Sequence, residues 1–358
     1  MAFPNSVALT TTAVTQQQGK LTLADVEVPY LQDHQVYVKV EFAAFNPTDR
    51  LAFDLQAFED GAVLGCDFVG TVIQTHPSVT QLNIGDRVAA LVWGGEVKGL
   101  GAYSTCCIAD ERIAFKVPRN ITLPEACAIP LAMNTAYLAL FSSTSLNLPR
   151  DTSSSMPPLL VWGGSSIVGF FAIQLAKLHG YTVATTCSPQ NFEHVKRAGA
   201  TYVFDYNDPE VVTKLQKASP TLGHVFDTIG SIESSGTAAA AMNKSTGVFC
   251  TVRPGRIHTE GIAKSITVTD VFVFTAFPTP HTYRGTAHWP VVLENHNISA
   301  EMYNHLPRWL SDSLVFPPRV RTIGKLSPGT VLEAMQLNRV GAISAEKLYF
   351  EVSNLDKL

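Results

Sequence analysis

Several features are scarce in this chain of 358 residues, and each shortage excludes something. The six cysteines (Cys66, Cys106, Cys107, Cys127, Cys187 and Cys250) form no Cys-x-x-Cys pair, so no zinc ribbon is expected, and six at this length are too few for a disulfide scaffold. Reduced thiols in a cytoplasmic protein follow. Charged residues make up 16%, against roughly 25% in an average soluble domain. Lys and Arg number 26 and Asp and Glu 30, a net charge of −4, which argues against a nucleic-acid binder and a polybasic membrane-surface protein. No run of about 18 uncharged apolar residues occurs, so no membrane span is expected. The start, Met1-Ala2-Phe3-Pro4-Asn5-Ser6, lacks a basic segment followed by an apolar one and does not read as a secretory signal. The Asn-x-Ser/Thr sites at Asn120, Asn243 and Asn297 are then chance matches.

What is present suits two domains of roughly 150 residues or one large one, with 46% hydrophobic residues and a core that needs no cross-link. The first 125 residues carry short strands at regular spacing. Val36–Phe42 alternates with period two, Gly65–Val72 reads as a strand with glycines at close approaches, and Gly85–Leu91 turns into another. Gly94, Gly95, Gly99 and Gly101 mark a flexible loop before Ala102–Cys107, and a barrel-like β domain is expected. Thr122 and Pro124 look like a helix start, leading to apolar helices over Ala126–Pro130 and Asn134–Phe141. A Ser/Pro-rich loop covers Arg150–Pro158.

Beyond it strands and helices alternate. Leu159–Trp162 suits a strand buried on both faces, followed by a helix over Ile167–His179, a strand over Tyr181–Cys187 and a short helix over Asn191–Ala198. Strands at Tyr202–Tyr206, His224–Thr228 and Gly247–Val252, with a helix capped by Asp208-Pro209-Glu210, complete a parallel, doubly wound α/β sheet. Val271–Phe277 reads as an apolar strand, His281–Trp289 as a polar loop, Tyr303–Ser311 and Pro328–Asn338 as helices, and Lys347–Val352 as a last strand.

The turn after the first buried strand reads Gly163-Gly164-Ser165-Ser166-Ile167-Val168-Gly169-Phe170. Its place between strand and helix suits a dinucleotide, because small residues let the backbone approach a pyrophosphate and the helix start offers N–H groups and a positive dipole end. The spacing is not the strict G-x-G-x-x-G, and an ordinary tight turn is the alternative. The second strand ends Ser188-Pro189-Gln190-Asn191 without the acid that binds the ribose of NAD, which favours NADPH. Lys196 and Arg197 follow within two helical turns and read mainly as a solvated face; Tyr206 ends the third strand near the expected adenosine edge.

Three landmarks carry a family resemblance: Asn46-Pro47-Thr48-Asp49, Gly65-Cys66-Asp67-Phe68-Val69-Gly70 and the Gly163–Gly169 turn. Together they resemble the medium-chain dehydrogenase/reductase superfamily over nearly the whole chain. Its zinc alcohol dehydrogenases carry Cys before Thr-Asp and a Gly-His-Glu stretch; here Asn46 and Cys66-Asp67 stand there, so the chain is similar to the zinc-free branch and no metal is expected. Within that branch, Ile129-Pro130-Leu131-Ala132, Trp162–Ser166, Phe204-Asp205-Tyr206 and Gly341–Lys347 look most like the trans-acting enoyl reductases of fungal polyketide pathways. The resemblance implies a β-rich GroES-like domain over 1–125, completed by about 310–358, and a Rossmann domain over 126–309.

It further implies that Asn46, Pro47, Thr48, Asp49, Gly163 to Phe170, Ser188, Pro189, Gln190, Asn191, Tyr206, Val252, Arg253, Ile343 and Ser344 meet the cofactor. Ile129, Pro130, Leu131, Ala132, Met133, Asn134, Thr135, Ala136, Val273, Phe274, Thr275, Ala276 and Phe277 would line an acyl pocket. Asn46 and Asp49 could instead be residues of a turn on a β loop, the apolar members could be core, and Ser344 could be a cap. The expected reaction is NADPH-dependent reduction of an α,β-unsaturated thioester, with Asn134 and Thr135 as candidate catalytic polar contacts. The expected partner is a highly reducing polyketide synthase, or a synthase–peptide synthetase hybrid, presenting a carrier-bound chain to a monomeric reductase. A stand-alone quinone or alkenal reductase and a catalytically silent cofactor-binding scaffold are the alternatives.

Overall fold

A computed structural model describes residues 9–151, 156–243 and 246–352. The opening hexapeptide, Thr152–Ser155 of the Ser/Pro-rich loop and the last two residues of the Asn243 site lie outside the described residues. The chain forms two compact units, one of residues 1–131 and 274–358 and the other of residues 132–273.

In the first unit, β1 (Thr10–Gln17) and β2 (Lys20–Glu27) form a hairpin, and β4 (Ala62–Val63) pairs with β1. A second sheet runs β17 (Arg319–Lys325), β18 (Glu346–Glu351), β3 (Gln35–Ala44), β5 (Asp67–Thr75), β6 (Arg87–Leu91) and β8 (Ala114–Lys116), with β7 (Cys106–Asp110) also on β3. The first hairpin was not read from the sequence, because Thr and Gln hide its alternation. Its signal was the two-residue turn Gln18-Gly19, with φ of 48° and 72°, which matches the twist of paired strands. Val36, Val38, Val40, Phe68, Val88 and Phe350 meet in one apolar core, joined by Leu348 and by Met335 of helix α9 (Pro328–Arg339).

The second unit holds β9 (Leu159–Trp162), β10 (Val183–Cys187), β11 (Tyr202–Asp205), β12 (His224–Asp227), β13 (Gly247–Thr251) and β14 (Ile266–Asp270), all parallel, in the order β11-β10-β9-β12-β13-β14. Its helices are α4 (Ile167–Leu178), α5 (Phe192–Ala198), α6 (Val211–Ala218) and α7 (Ile232–Ala240). This is the expected doubly wound sheet, and β9 and β10 are buried throughout. Chain reversal between β9 and β12 creates a switch point at the carboxyl ends of those strands, where open α/β sheets bind ligands.

Several local expectations are corrected. Val271–Phe277 is not a strand: β14, with its alternating Ile-Thr-Val-Thr, takes the sixth place beside β13, and Val273–Ala276 forms a 3₁₀ turn. His281–Trp289 is not a loop but a hairpin of β15 (His281–Tyr283) and β16 (Ala287–Trp289). The glycines at 94–101 do not loosen a loop. A Cβ on Gly94, Gly99 or Gly101 would sit 2.0–2.2 Å from a backbone oxygen of a neighbouring segment, so they serve close packing. Asn46 and Asp49 are not on a β loop; they open helix α1 (Pro47–Asp54). Thr122 caps α2 (Leu123–Cys127) as expected, but the next helix, α3 (Pro130–Phe141), begins four residues before Asn134. Helix α8 (Leu293–Ser311), in the first unit, packs on β8 and is tied by Asn120 Nδ2 to the Leu310 carbonyl at 3.0 Å.

Candidate functional site

At the carboxyl end of β9 the chain turns through Gly163, whose φ is +82°, a value that L side chains rarely adopt. A Cβ on Gly164 would lie 2.1 Å from Thr185 Oγ1, and one on Gly169 would lie 2.4 Å from the Gly163 carbonyl oxygen. Only glycine lets α4 start this close to the strand. Ser166 caps α4, its Oγ accepting from Gly169 N–H at 2.9 Å and sharing a hydrogen bond with Thr228 Oγ1 at 2.8 Å. Thr228 also donates to the carbonyls of Trp162 and Gly163, tying the end of β12 to the turn. A Cβ on Gly230 would collide with Arg253, which places the Arg253 side chain beside the loop after β12. Thus Gly163–Phe170, Val252 and Arg253 gather at the switch point, and Ser165 and Ser166 are half-buried.

Ser188, Pro189, Gln190 and Asn191 follow β10, with Pro189–Asn191 in a 3₁₀ turn. Pro189 and Gln190 are exposed and Asn191 is buried. Tyr206 is 46% exposed at the end of β11. The acid nearest the end of β10 in the pairing is Asp205, opposite Cys187 on β11. Its carboxylate accepts from Asn207 N–H at 2.9 Å; burial, followed by this charge, pushes the Cys187 thiol up to about 12. Lys196 pairs with Glu193 at 2.8 Å.

Asn134 lies on α3 and is 0% exposed, yet among the described residues neither its Oδ1 nor its Nδ2 has a hydrogen-bond partner. A buried amide left unsatisfied costs about 1–3 kcal/mol, so this one calls for a partner from outside the described residues, water or ligand. Thr135 beside it is also buried and has partners. Ala132, Met133 and Ala136 are buried on the same helix.

The first unit holds a different arrangement. Asn46 N–H donates to Asp49 Oδ2 and Asn46 Nδ2 to Asp67 Oδ2, at 2.8 and 2.9 Å. Lys347, at the start of β18 and 4% exposed, donates from Nζ to Asn46 Oδ1 and to Asp67 Oδ2. Asp67 Oδ1 accepts from Leu131 N–H at 2.7 Å, and Asp49 accepts from Tyr103 Oη at 2.8 Å and Cys66 Sγ at 3.4 Å. Burial pushes the Asp49 carboxyl up to about 6, and burial with the Asp49 charge pushes the Cys66 thiol and Tyr103 hydroxyl well above their usual ranges. The polar atoms of Asn46 and Asp49 are therefore engaged within the protein, while Pro47 is exposed and Thr48 half-buried. Neither Asp67 nor Lys347 was assigned a role from the sequence; the available signal was an acid directly after Cys66, in a stretch already singled out. Ile343 packs on the first unit's core and Ser344 is exposed, three residues before Lys347. Ile129, Pro130 and Leu131 are buried, and Phe274, Thr275 and Ala276 are buried with Phe277 half-buried. Val273 is buried in the second unit.

Residues 32–119 match the family described as alcohol dehydrogenase GroES-like domain, and residues 168–287 the one described as zinc-binding dehydrogenase. The chain is 30% identical over 95% of its length to the trans-enoyl reductase ACTTS2 of Alternaria alternata, covering 98% of that protein. It is 35% identical to the trans-enoyl reductase thnE of Trichoderma harzianum over 71% of its length and 72% of the relative's. Among solved structures it is similar to a putative zinc-dependent alcohol dehydrogenase protein from Rhizobium etli CFN 42, at a TM-score of 0.78 and 23% identity over 98% of this chain and 100% of that one. It is also similar to the JamJ enoyl reductase, at 0.71 and 17% identity over 96% and 99%; both likenesses concern the fold.

The second family description implies zinc, and the residues do not fit it. Where zinc alcohol dehydrogenases have ligands, this chain has an amide with both atoms engaged, a thiol held protonated and a neighbouring ammonium that would repel a dication. Among the described residues no group of three or more His, Cys, Asp or Glu side chains could hold a metal ion. A nicotinamide dinucleotide does fit the second unit, on the turn that a Cβ would fill.

Proposed function

Because this chain belongs to the trans-enoyl reductase family, within the medium-chain dehydrogenase/reductase superfamily, we propose that it reduces the α,β-unsaturated thioester of a carrier-bound polyketide chain with NADPH. The likeness along 95% of the chain carries this reading. The partner is a highly reducing polyketide synthase, or a synthase–peptide synthetase hybrid, and the reductase acts on it in trans as a cytoplasmic monomer. No helix among the described residues is long and apolar enough to cross a membrane.

The nicotinamide, when bound, supplies hydride to the β-carbon of the substrate. The chain's own residues bind and orient. Gly163–Phe170 cradle the pyrophosphate against the start of α4, while Val252 and Arg253 flank it. Ser188–Asn191 and Tyr206 meet the adenosine end, where neutral groups accept a 2′-phosphate that a carboxylate would repel. In the first unit, Asn46 and Asp49 hold the start of α1 in place. The buried amide of Asn134 donates to the thioester oxygen, where charge builds as the double bond is reduced, with Thr135 beside it. Within the second unit, Ala132, Met133, Ala136 and Val273 offer buried apolar surface to an acyl chain and exclude water.

NADPH consumption with enoyl-thioesters, enals and quinones tests the reading. Thioester turnover without quinone turnover is expected. Quinone or enal turnover alone would make the protein a stand-alone reductase, and cofactor binding without turnover a scaffold. Replacing Ser165 and Ser166 together with Asp should weaken NADPH binding by repelling phosphate; unchanged affinity by titration would mean that the turn is misassigned.

A further inference from the structure

In the turn after β9 the polar groups divide into those already bonded and those left over. Thr228 Oγ1 stands 2.8 Å from the Trp162 carbonyl oxygen, 3.0 Å from that of Gly163 and 2.8 Å from Ser166 Oγ. A hydroxyl has one proton, and a carbonyl has none to give. If Thr228 donated to Ser166, two carbonyl oxygens would press on its lone pairs with no proton between. The Thr228 proton therefore serves the carbonyls, and Ser166 Oγ–H donates to Thr228 Oγ1. Ser166 Oγ also accepts from Gly169 N–H at 2.9 Å, so its one proton is spent inside the protein. Thr228 is itself held. Its N–H donates to the Trp162 carbonyl at 3.1 Å. Asp227, 0% exposed, accepts from Ile229 N–H, Gly230 N–H, Ser234 Oγ and Ser235 Oγ at 2.8–3.1 Å. On the other side of the turn, Gly163 N–H donates to Thr186 Oγ1 at 3.2 Å and Gly164 N–H to the Thr186 carbonyl at 2.9 Å. Ser166 N–H donates to the Gly163 carbonyl at 3.0 Å. Four donors remain: the N–H groups of Ser165, Ile167 and Val168 and the hydroxyl of Ser165 make no hydrogen bond among the described residues.

We propose that Ser166 and Thr228 are positioning residues, a hydroxyl latch that fixes the glycine turn, and that Ser165 supplies the turn's one free hydroxyl to the pyrophosphate of the cofactor. The proposal rests on the reading that a nicotinamide dinucleotide lies on this turn, and it separates two serines that look alike in the sequence. The four unspent donors stand at the positive end of α4, where phosphate oxygens are acceptors without protons of their own. Ser166 contributes nothing to them directly. Opening its bond to Thr228 frees the turn from the end of β12, and the turn must then be ordered again each time the cofactor binds.

Titration of the whole protein with NADPH tests it. Ser165→Ala removes a hydroxyl that holds nothing in the fold; it should weaken NADPH binding about tenfold with the unfolding midpoint unchanged. Thr228→Val keeps the side-chain shape and removes the hydroxyl; it should also weaken binding about tenfold, and Thr228→Ser should return the affinity to within about twofold of the wild type. Ser166→Ala combined with Thr228→Val should cost less than the product of the two single losses, because both break one bond. Adenosine 2′-phosphate, which carries no pyrophosphate, should bind the wild type and every variant alike. Wild-type NADPH affinity in Ser165→Ala or Thr228→Val, multiplied losses in the double variant, or a parallel loss of adenosine 2′-phosphate binding overturns the proposal. A wild type that binds neither NADPH nor NADH removes the cofactor reading and the latch's role with it. One that binds NADH alone removes just the phosphorylated cofactor, and the same variants are then judged with NADH, adenosine replacing adenosine 2′-phosphate.

Discussion

The turn after β9 and the cluster around Asp67 place polar groups in opposite ways. The turn keeps side chains small, so that backbone can come close to something the chain does not itself supply. The cluster does the reverse: two carboxylates, an ammonium, an amide, a phenol and a thiol satisfy one another where each is buried. Asn46 and Gly163 both belong to motifs expected at the cofactor. What separates them is whether their polar or open positions are already taken by the fold, and that cannot be read from residue type.

The contrast breaks most severely at Lys347. Lys347→Ala leaves Asp67 charged and buried without its partner, so stability should fall by about 3–5 kcal/mol in urea unfolding. A loss below 1 kcal/mol would mean that the cluster is wet and open after all. Asp49 should show the same closure through pH. Its carboxyl sits at about 6 against an ordinary 3.8, so the folded chain keeps a proton there that the unfolded chain has released. The stability this group contributes is present at low pH and is lost as pH rises from about 4 to 6, a difference of about 3 kcal/mol for 2.2 pH units. Unfolding midpoints from pH 4 to 7 should therefore slope less in Asp49→Asn than in the wild type; parallel slopes would refute the assignment. The smallest effects come from one substitution at two glycines. Gly169→Ala forces a Cβ against the Gly163 carbonyl and should cost about 1–3 kcal/mol while weakening NADPH binding. Gly236→Ala, on α7 with nothing within 4 Å, should instead stabilise by about 0.5–1 kcal/mol with cofactor affinity unmoved. Equal effects at both positions would remove the special status of the turn.

The doubly wound sheet was legible from strands alternating with helices, most clearly where a buried apolar run leads into a capped helix, as Leu159–Trp162 and Ile167–Leu178 illustrate. Val271–Phe277 was misread for a related reason. Apolar content marks burial, and a 3₁₀ turn held by Asn295, His281 and His296 buries such residues as well as a strand does. The hairpin Thr10–Glu27 was missed because its strands are rich in Thr and Gln. In the candidate site, Asn134 is a candidate polar contact from the expected reaction, but only the folded chain displays that its amide has no partner among the described residues.

By itself, the sequence determined the two architectures, the glycine turn between a buried strand and its helix, and the family to which the chain is similar. These depend on local pattern: period, caps and residues that permit one backbone shape. Tertiary structure alone decided that Lys347 closes on Asn46 and Asp67 across about 300 positions of chain, and that His281 grips Glu96 from 185 positions away. Such contacts arise when distant segments are packed together, and a charge or an imidazole has no partner to be read until the core has brought one to it.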